Sequence, residues 1–264
     1  MADEVQRAET SGREQARPAR AASQLAPPAR GLAAYLQIEE ELASRIERGM
    51  LEPGTRLPSE RELARSLGVS RMTLRQALSR LEHRGLIDRA HGSGTFVAEP
   101  KLRHQANVLR GFFRETVGQG VVPTTRTIER SAIFATRVLA QTLDLRIGEE
   151  VYKVVRLRSA RGTPVVVETS FFPAALFPGL IEEDLDHRSI YELMERYGAR
   201  PVRGEQGMES VAAEAEEAAL LGVAPGAPLM LLERTTWDAT GRPVEHARDL
   251  YRGDRSRFLT ELRL

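Results

Sequence analysis

The chain of 264 residues contains no cysteine, which excludes disulfides, cysteine-based zinc clusters and thiol catalysis. It has no run approaching the ~18 consecutive apolar residues of a membrane-spanning helix. Its N-terminus is a polar Ala/Arg/Pro stretch with no apolar signal core. These absences predict a cytoplasmic protein with no membrane contact. Lysine is almost missing as well: Lys101 and Lys153 stand against 36 arginines, the mark of a GC-rich genome rather than of a function. The formal net charge of +1 says nothing about partners, because the signs are unevenly spread. With five histidines, no Ser/His/Asp signature, no metal-ligand spacing and no phosphate loop, no enzyme, metal or cofactor is expected. At 41% hydrophobic residues the chain has enough apolar material for one large or two ordinary domains.

Residues 1–30 hold few large apolar side chains and read as a disordered tail. From Tyr35 the pattern turns helical, with Tyr35, Ile38, Leu42 and Ile46 on one stripe ending at Gly49. A turn at Glu52-Pro53-Gly54 leads to Ser59-Glu60-Arg61-Glu62, a capping box opening a short helix that Gly68 stops. Ser70 opens the next helix, whose Leu74, Ala77, Leu78 and Leu81 face inward. Two extended runs, 86–89 and 95–97, flank a Gly-containing turn at His91-Gly92 and predict a hairpin. Helix, helix, turn, helix, hairpin is the order of a winged helix-turn-helix, here spanning residues 31–98. Residues 99–108 are polar and aperiodic and read as a linker.

Between Pro53 and Val97 eight arginines face four acids, while Glu39, Glu40, Glu41 and Glu47 of the first helix lie elsewhere. A basic patch of this kind supplies salt-dependent affinity for phosphates. In a helix-turn-helix the second helix offers its N-terminal residues to major-groove base edges. Those residues are Ser70, Arg71, Thr73, Arg75 and Gln76, with Met72 able to pack or to meet a thymine methyl. Arginine reads guanine bidentately and glutamine reads adenine. Arg61, in the first turn of the preceding helix, is placed for a backbone phosphate or a base edge, and His91 and Gly92 sit at the wing tip, placed for a minor-groove contact. Arg80, Arg84 and Arg89 read as solvent or phosphate neighbours.

The run PGTRLPSERELARSLGVSRMTLRQALSRLEHRGLIDRAHGSGTFV resembles the DNA-binding domain of the GntR family of bacterial transcription regulators. That resemblance implies DNA contacts at Arg61, Ser70, Arg71, Thr73, Arg75, His91 and Gly92, and a homodimer on a palindromic double-stranded operator.

Residues 109–264 alternate helix patterns (109–118, 135–143, 189–197, 213–221) with strand patterns (124–131, 150–159, 164–172, 201–210, 228–237, 243–251, 258–262). The fold class is therefore α+β, with a largely antiparallel sheet. An internal repeat matches Leu143, Leu145, Gly148 and Arg156 to Leu221, Val223, Gly226 and Arg234 at an offset of 78. It continues as Gly162, Pro164 and Val165 against Gly241, Pro243 and Val244 after one inserted residue. Two hairpins built alike predict a pseudo-twofold domain with a cavity between its halves. Arg156 and Arg158 fall on one side of a strand and need an anion between them: either Glu168 on the return strand, or a bound phosphate or carboxylate. Ser189 reads as the N-cap before Ile190-Tyr191-Glu192, and Glu245 and Tyr251 add polar groups on one strand face.

The stretches VVRLRSARGTPVVVETSFFP, SIYELMERYG, AALLGVAPGAPLMLLER and GRPVEHARDLYRGDRSRF resemble the UTRA ligand-sensing domain of the HutC subfamily, whose fold is similar to chorismate lyase. The resemblance implies an effector pocket formed by Arg156, Arg158, Glu168, Ser189, Tyr191, Glu245 and Tyr251, with backbone amides at Gly111 and Phe112 able to bind an anion. Relatives that sense sugar phosphates commonly carry a small hydroxyl residue before that Phe, where this chain has Arg110-Gly111. Sugar phosphate and carboxylate effectors both stay open. The reading is an effector-controlled transcription regulator of repressor type; a ligand-independent DNA-binding dimer or a lyase-like enzyme are the alternatives.

Overall fold

The computed structural model describes residues 25–29, 33–90 and 94–262, in two compact units, Met1–Pro100 and Lys101–Leu264. The first unit contains α1 (Ala34–Glu47), α2 (Glu60–Leu67), α3 (Arg71–His83), β1 (Ile87–Ala90) and β2 (Gly94–Val97). Ile38 and Leu42 of α1, Leu63 and Leu67 of α2, Leu74, Leu78 and Leu81 of α3, and Ile87 of β1 close one core. The capping box forms: Glu62 N–H donates to Ser59 Oγ at 3.3 Å and Ser59 N–H to Glu62 Oε2 at 3.0 Å. Two first-turn amides are thereby satisfied. Gly68 ends α2 at φ +65°, a left-handed conformation open to glycine without a Cβ penalty, and the chain enters α3 at once. Ser70 caps α3, accepting from Thr73 N–H at 3.1 Å.

The hairpin pairs Ile87 with Val97 and Ala90 with Gly94. A third stretch joins it, because Leu57 N–H donates to the Thr95 carbonyl and Val97 N–H to the Thr55 carbonyl, both at 2.8 Å. Gly94 sits at φ +118°, and a Cβ there would stand 3.0 Å from Arg56 Nε. His91 and Gly92 lie outside the described residues, as do 1–24 and 30 of the expected tail. Residues 25–29 correct that expectation. Leu25 is buried in the first core, and the Gln37 carboxamide clasps Ala29, accepting from its N–H at 2.8 Å and donating to its carbonyl at 3.0 Å. Average composition conceals a single well-placed anchor.

The second unit corrects the linker. Leu102–Gln105 forms β3 and pairs in parallel with β10 (Ser256–Leu259). Leu102 and His104 point inward while Arg103 and Gln105 are exposed, an alternation too short and too polar to read as a strand. The main sheet has β4 (Pro123–Phe134), β5 (Glu150–Ala160), β6 (Thr163–Pro173), β7 (Arg203–Ala212), β8 (Pro228–Trp237) and β9 (Pro243–Arg252). Its order is β4-β5-β6-β9-β8-β7, antiparallel throughout. Four short helices complete the unit: α4 (Phe112–Val117), α5 (Arg137–Leu143), α6 (Ile190–Arg196) and α7 (Ala215–Leu221).

The sequence repeat is an architectural one. β4-α5-β5-β6 is followed by β7-α7-β8-β9, and the strand order reads symmetrically about the β6–β9 pair. At the offset reached after the inserted residue, Thr169 corresponds to Arg248, and these two stand opposite each other across β6 and β9. The pseudo-twofold axis passes there. Reciprocally, α5 packs on β9 and α7 on β6. Because side chains alternate along a strand, the sheet has two unlike faces. Val155, Leu157, Val167, Leu231 and Leu250 bury one face against Ala218 and Leu221 of α7. The other carries Arg156, Arg158, Glu168, Ser170, Thr236, Glu245 and Asp249, every one buried. No helix among the described residues is long and apolar enough to cross a membrane.

Candidate functional site

At the N-terminal end of α3, Ser70, Arg71, Met72, Arg75 and Gln76 are exposed and Thr73 is half-buried; Arg61 is exposed at the start of α2. Met72, read from sequence as able to pack, is 71% exposed. The Ser70 and Thr73 hydroxyls lie 2.8 Å apart and share the cap. The Arg75 guanidinium reaches no closer than 3.9 Å to Glu60. The other end of α3 is electrically closed. Arg80 binds the buried Glu39, and Arg84 reaches Glu39 at 3.2 Å and Glu47 at 3.3 Å. Hydrogen bonding from Arg80, then Arg84, holds the Glu39 carboxyl below the ordinary carboxylate range against its burial. Arg89 pairs with Glu60 at 3.3 Å and Glu82 at 3.8 Å. Thus two acids of α1, taken from sequence to lie away from the basic half, neutralise the far end of α3. Arg71 and Arg75 stand exposed at the opposite end of the helix.

On the polar sheet face the anion between Arg156 and Arg158 is Glu168 itself. Its Oε2 lies 3.0 Å from Arg156 Nη2 and accepts from Arg158 Nε at 2.8 Å. Arg158 also donates to Thr125 Oγ1 at 2.6 Å, and its guanidinium stands 5.6 Å over the Phe112 ring. Burial opposes the Glu168 charge, but Arg158 and Arg156 outweigh it and hold the carboxyl low. Burial, with Arg158 alongside, pulls the Arg156 guanidinium down. Glu245 accepts from two hydroxyls, Ser170 Oγ at 3.1 Å and Thr236 Oγ1 at 3.5 Å.

Sequence reasoning left Arg234 and Asp249 out of this site. Arg234 donates to Asp249 Oδ2 at 3.4 Å and to Gln206 Oε1 at 3.2 Å. Burial pushes the Asp249 carboxyl up to about 7; Arg234 offsets this in part, and Glu168 and Glu245 add to it. The repeat held the signal, since Arg234 is the mate of Arg156. Three buried donor atoms here have no hydrogen-bond partner: Arg156 Nη1, Arg234 Nε and Tyr191 OH. An unpaired buried polar atom costs about 1–3 kcal/mol, so two on this face and a third on α6 mark a place built for something else to bind.

Gly111, Ser189 and Tyr191 come together. A Cβ on Gly111 would lie 3.8 Å from Ser189 Oγ and 3.9 Å from Tyr191 Cδ2. The three line a cavity of about 80 Å³ with Arg110, Arg114 and Glu192. Ser189 occupies the N-cap position of α6 without making a cap hydrogen bond, leaving its hydroxyl to the cavity. Phe112 is buried beside Arg158. Tyr251 lies on the same strand face as Glu245 and Asp249, with its ring edge-on to His104 at 4.9 Å and to Phe258 at 5.1 Å. The acids of this face do not form a cation site: among the described residues no group of three His, Cys, Asp or Glu is arranged to hold a metal.

A helix-turn-helix with one exposed, arginine-bearing helix end, carried with a sheet unit enclosing unsatisfied donors, defines a one-component regulator that joins a DNA reader to a small-molecule sensor. Comparison with known proteins agrees. Residues 34–97 match the bacterial regulatory proteins, gntR family, and residues 118–257 match the UTRA domain. The HTH-type transcriptional repressor NagR of Bacillus subtilis is 41% identical over 226 residues, 85% of this chain and 93% of that protein. The histidine utilization repressor of Pseudomonas putida is 33% identical over 224 residues, covering 85% and 90%. The crystal structure of PhnF from Mycobacterium smegmatis superposes with a TM-score of 0.64 at 32% identity, over 85% of this chain and 98% of that one. The chain belongs to the GntR family and carries a UTRA domain. It is a ligand-responsive DNA-binding regulator rather than an enzyme.

Proposed function

We propose that the protein is a homodimeric repressor that reads a palindromic operator through the N-terminal end of α3 and releases it when a small oxyanion-bearing metabolite, a sugar phosphate or a carboxylate, binds the polar face of the sheet. Base contact falls to Arg71, Arg75 and Gln76. Arg61, Ser70 and Thr73 serve the backbone or the cap, with His91 and Gly92 at the wing. The effector contacts Arg156, Arg158, Glu168, Ser189, Tyr191, Glu245 and Tyr251, and enters past Gly111 and Phe112. The observation that carries this reading is the pair of buried, unpartnered arginine donors on this face, Arg156 Nη1 and Arg234 Nε, with the unpartnered Tyr191 OH of α6 beside Arg234. Names of relatives such as the histidine utilization repressor support the repressor sense. The present cavity is small against the roughly 300–1,000 Å³ of metabolite sites, so binding requires α4 or α6 to shift, and that shift is the output.

Footprinting on the DNA flanking the gene tests the DNA arm. Arg71→Ala or Arg75→Ala is expected to cost about 1–3 kcal/mol of operator affinity and to relax specificity at one base of each half-site. Equal loss on all sequences would reassign the residue to phosphate.

A further inference from the structure

We propose that Arg234 is a second oxyanion anchor of the effector site, that the effector therefore spans both halves of the sheet, and that Asp249 is an internal placeholder occupying Arg234 until the effector displaces it. This inference rests on the reading of the polar face as the effector site.

The two repeat-mate arginines differ in how far they are committed. Arg156 shares Glu168 with Arg158 at 3.0 and 2.8 Å and keeps one free nitrogen, Nη1. Arg234 has a long 3.4 Å contact to Asp249 and one to the neutral Gln206, and its Nε is buried with no partner. A guanidinium presents five donors in a fixed fork suited to phosphate or carboxylate; Arg234 spends its two contacts on a long bond to Asp249 and on a neutral amide, so its carboxylate partner is the more loosely held. Tyr191 OH, also buried and unpartnered, interacts with Arg234, and the Tyr191 side chain lines the cavity next to Gly111 and Ser189.

Asp249 is the weak member of the cluster. It sits directly opposite Glu168 across β6 and β9, so two carboxylates share one buried face, and Glu168 has taken the two better-placed arginines. The groups around Asp249 are Arg234 from β8, Glu168 from β6, Glu245 from its own strand, Arg156 from β5, Tyr191 from α6 and Tyr251. Like charges that close do not all stay ionised. When an oxyanion takes Arg234, the Asp249 carboxylate loses its cation and accepts one proton from solvent. Burial already raises its pKa to about 7, so the exchange is easy near neutrality. Binding is then proton-linked, and affinity falls as pH rises and Asp249 competes for Arg234.

The test is titration calorimetry on the full chain without DNA, at fixed ionic strength, from pH 6 to pH 8. Inorganic sulfate serves as a tetrahedral probe and acetate as a planar one, since neither titrates in that range. Wild type is expected to bind the better-fitting probe about tenfold more weakly per pH unit above neutrality. Asp249→Asn is expected to bind at least as tightly with no pH dependence. Arg234→Gln is expected to lose at least about tenfold in affinity, with Arg234→Lys in between and operator binding by both variants unchanged. Wild-type affinity in Arg234→Gln, or a pH slope that persists in Asp249→Asn, would overturn the inference; loss in Arg156→Gln alone would do so while leaving the anion site standing. Binding of neither probe by wild type would remove the anion site as well.

Discussion

At the level of single residues, the polar face works because its charges are unequally paired. Glu168 is held between two arginines, and removing it would leave two guanidinium groups buried without an anion. Glu168→Ala is therefore expected to destabilise the second unit by about 3–5 kcal/mol, read as a shift of the urea midpoint. Asp249 acts in the opposite sense. Its folded pKa of about 7 lies above its ordinary 3.8, so the folded chain holds a proton that the unfolded chain has released. Its contribution is complete below the lower value and is lost as pH rises towards the upper one. Unfolding free energy is expected to decline from pH 4 to pH 7 and then level, by up to about 1.4 kcal/mol per unit. Asp249→Asn should flatten that limb in urea titrations at several pH values. A decline unchanged in Asp249→Asn would mean that another group carries it.

At the level of elements, much was legible because local chemistry and tertiary need agree. Ser59 and Glu62, Gly68 and Ser70 fix α2, the turn and α3 by rules that act within four residues. The repeat likewise exposed the twofold plan, since Gly148 and Gly226, or Pro164 and Pro243, mark equivalent turns. What was not legible depends on distance. The strand pairing of 102–105 needs β10, more than 150 residues on. Leu25 is anchored only because α1 offers Gln37 and a core edge. The pairing of Arg80 and Arg84 with Glu39 and Glu47 needs α1 and α3 to be packed. Asp249 joined the site only once β6 and β9 were known to be neighbours. The twofold plan makes its own prediction: Leu143 of α5 and Leu221 of α7 are mates, 2% and 0% exposed. Leu143→Ala and Leu221→Ala should each cost about 2–5 kcal/mol, within about 1 kcal/mol of each other. Denaturant melts of the two variants would check this, and a wide gap would mean that one repeat carries the stability of the unit.

At the level of the whole molecule, the reader and the sensor are separate compact units, each with its own hydrophobic core, and regulation requires a free-energy coupling between a site on each. Such coupling is reciprocal: if the effector weakens operator binding by a given factor, the operator weakens effector binding by the same factor, typically about 5–150-fold or 1–3 kcal/mol. Release by direct competition behaves differently, because an oxyanion that competes with the operator for Arg71 and Arg75 acts through those arginines and spares the polar face. The two routes separate in one pair of titrations. Affinity of the better-fitting probe is measured on the free protein and on protein saturated with operator duplex, in wild type, in Arg234→Gln and in Arg156→Gln. Coupling through the sensor predicts a loss of probe affinity on the operator complex equal to the loss of operator affinity under saturating probe. It also predicts that Arg234→Gln removes both losses together while operator affinity without probe stays as in wild type. If probe-driven release stayed intact in both Arg234→Gln and Arg156→Gln, the oxyanion would be acting on the DNA-reading surface, and the sheet unit would have to be assigned another task.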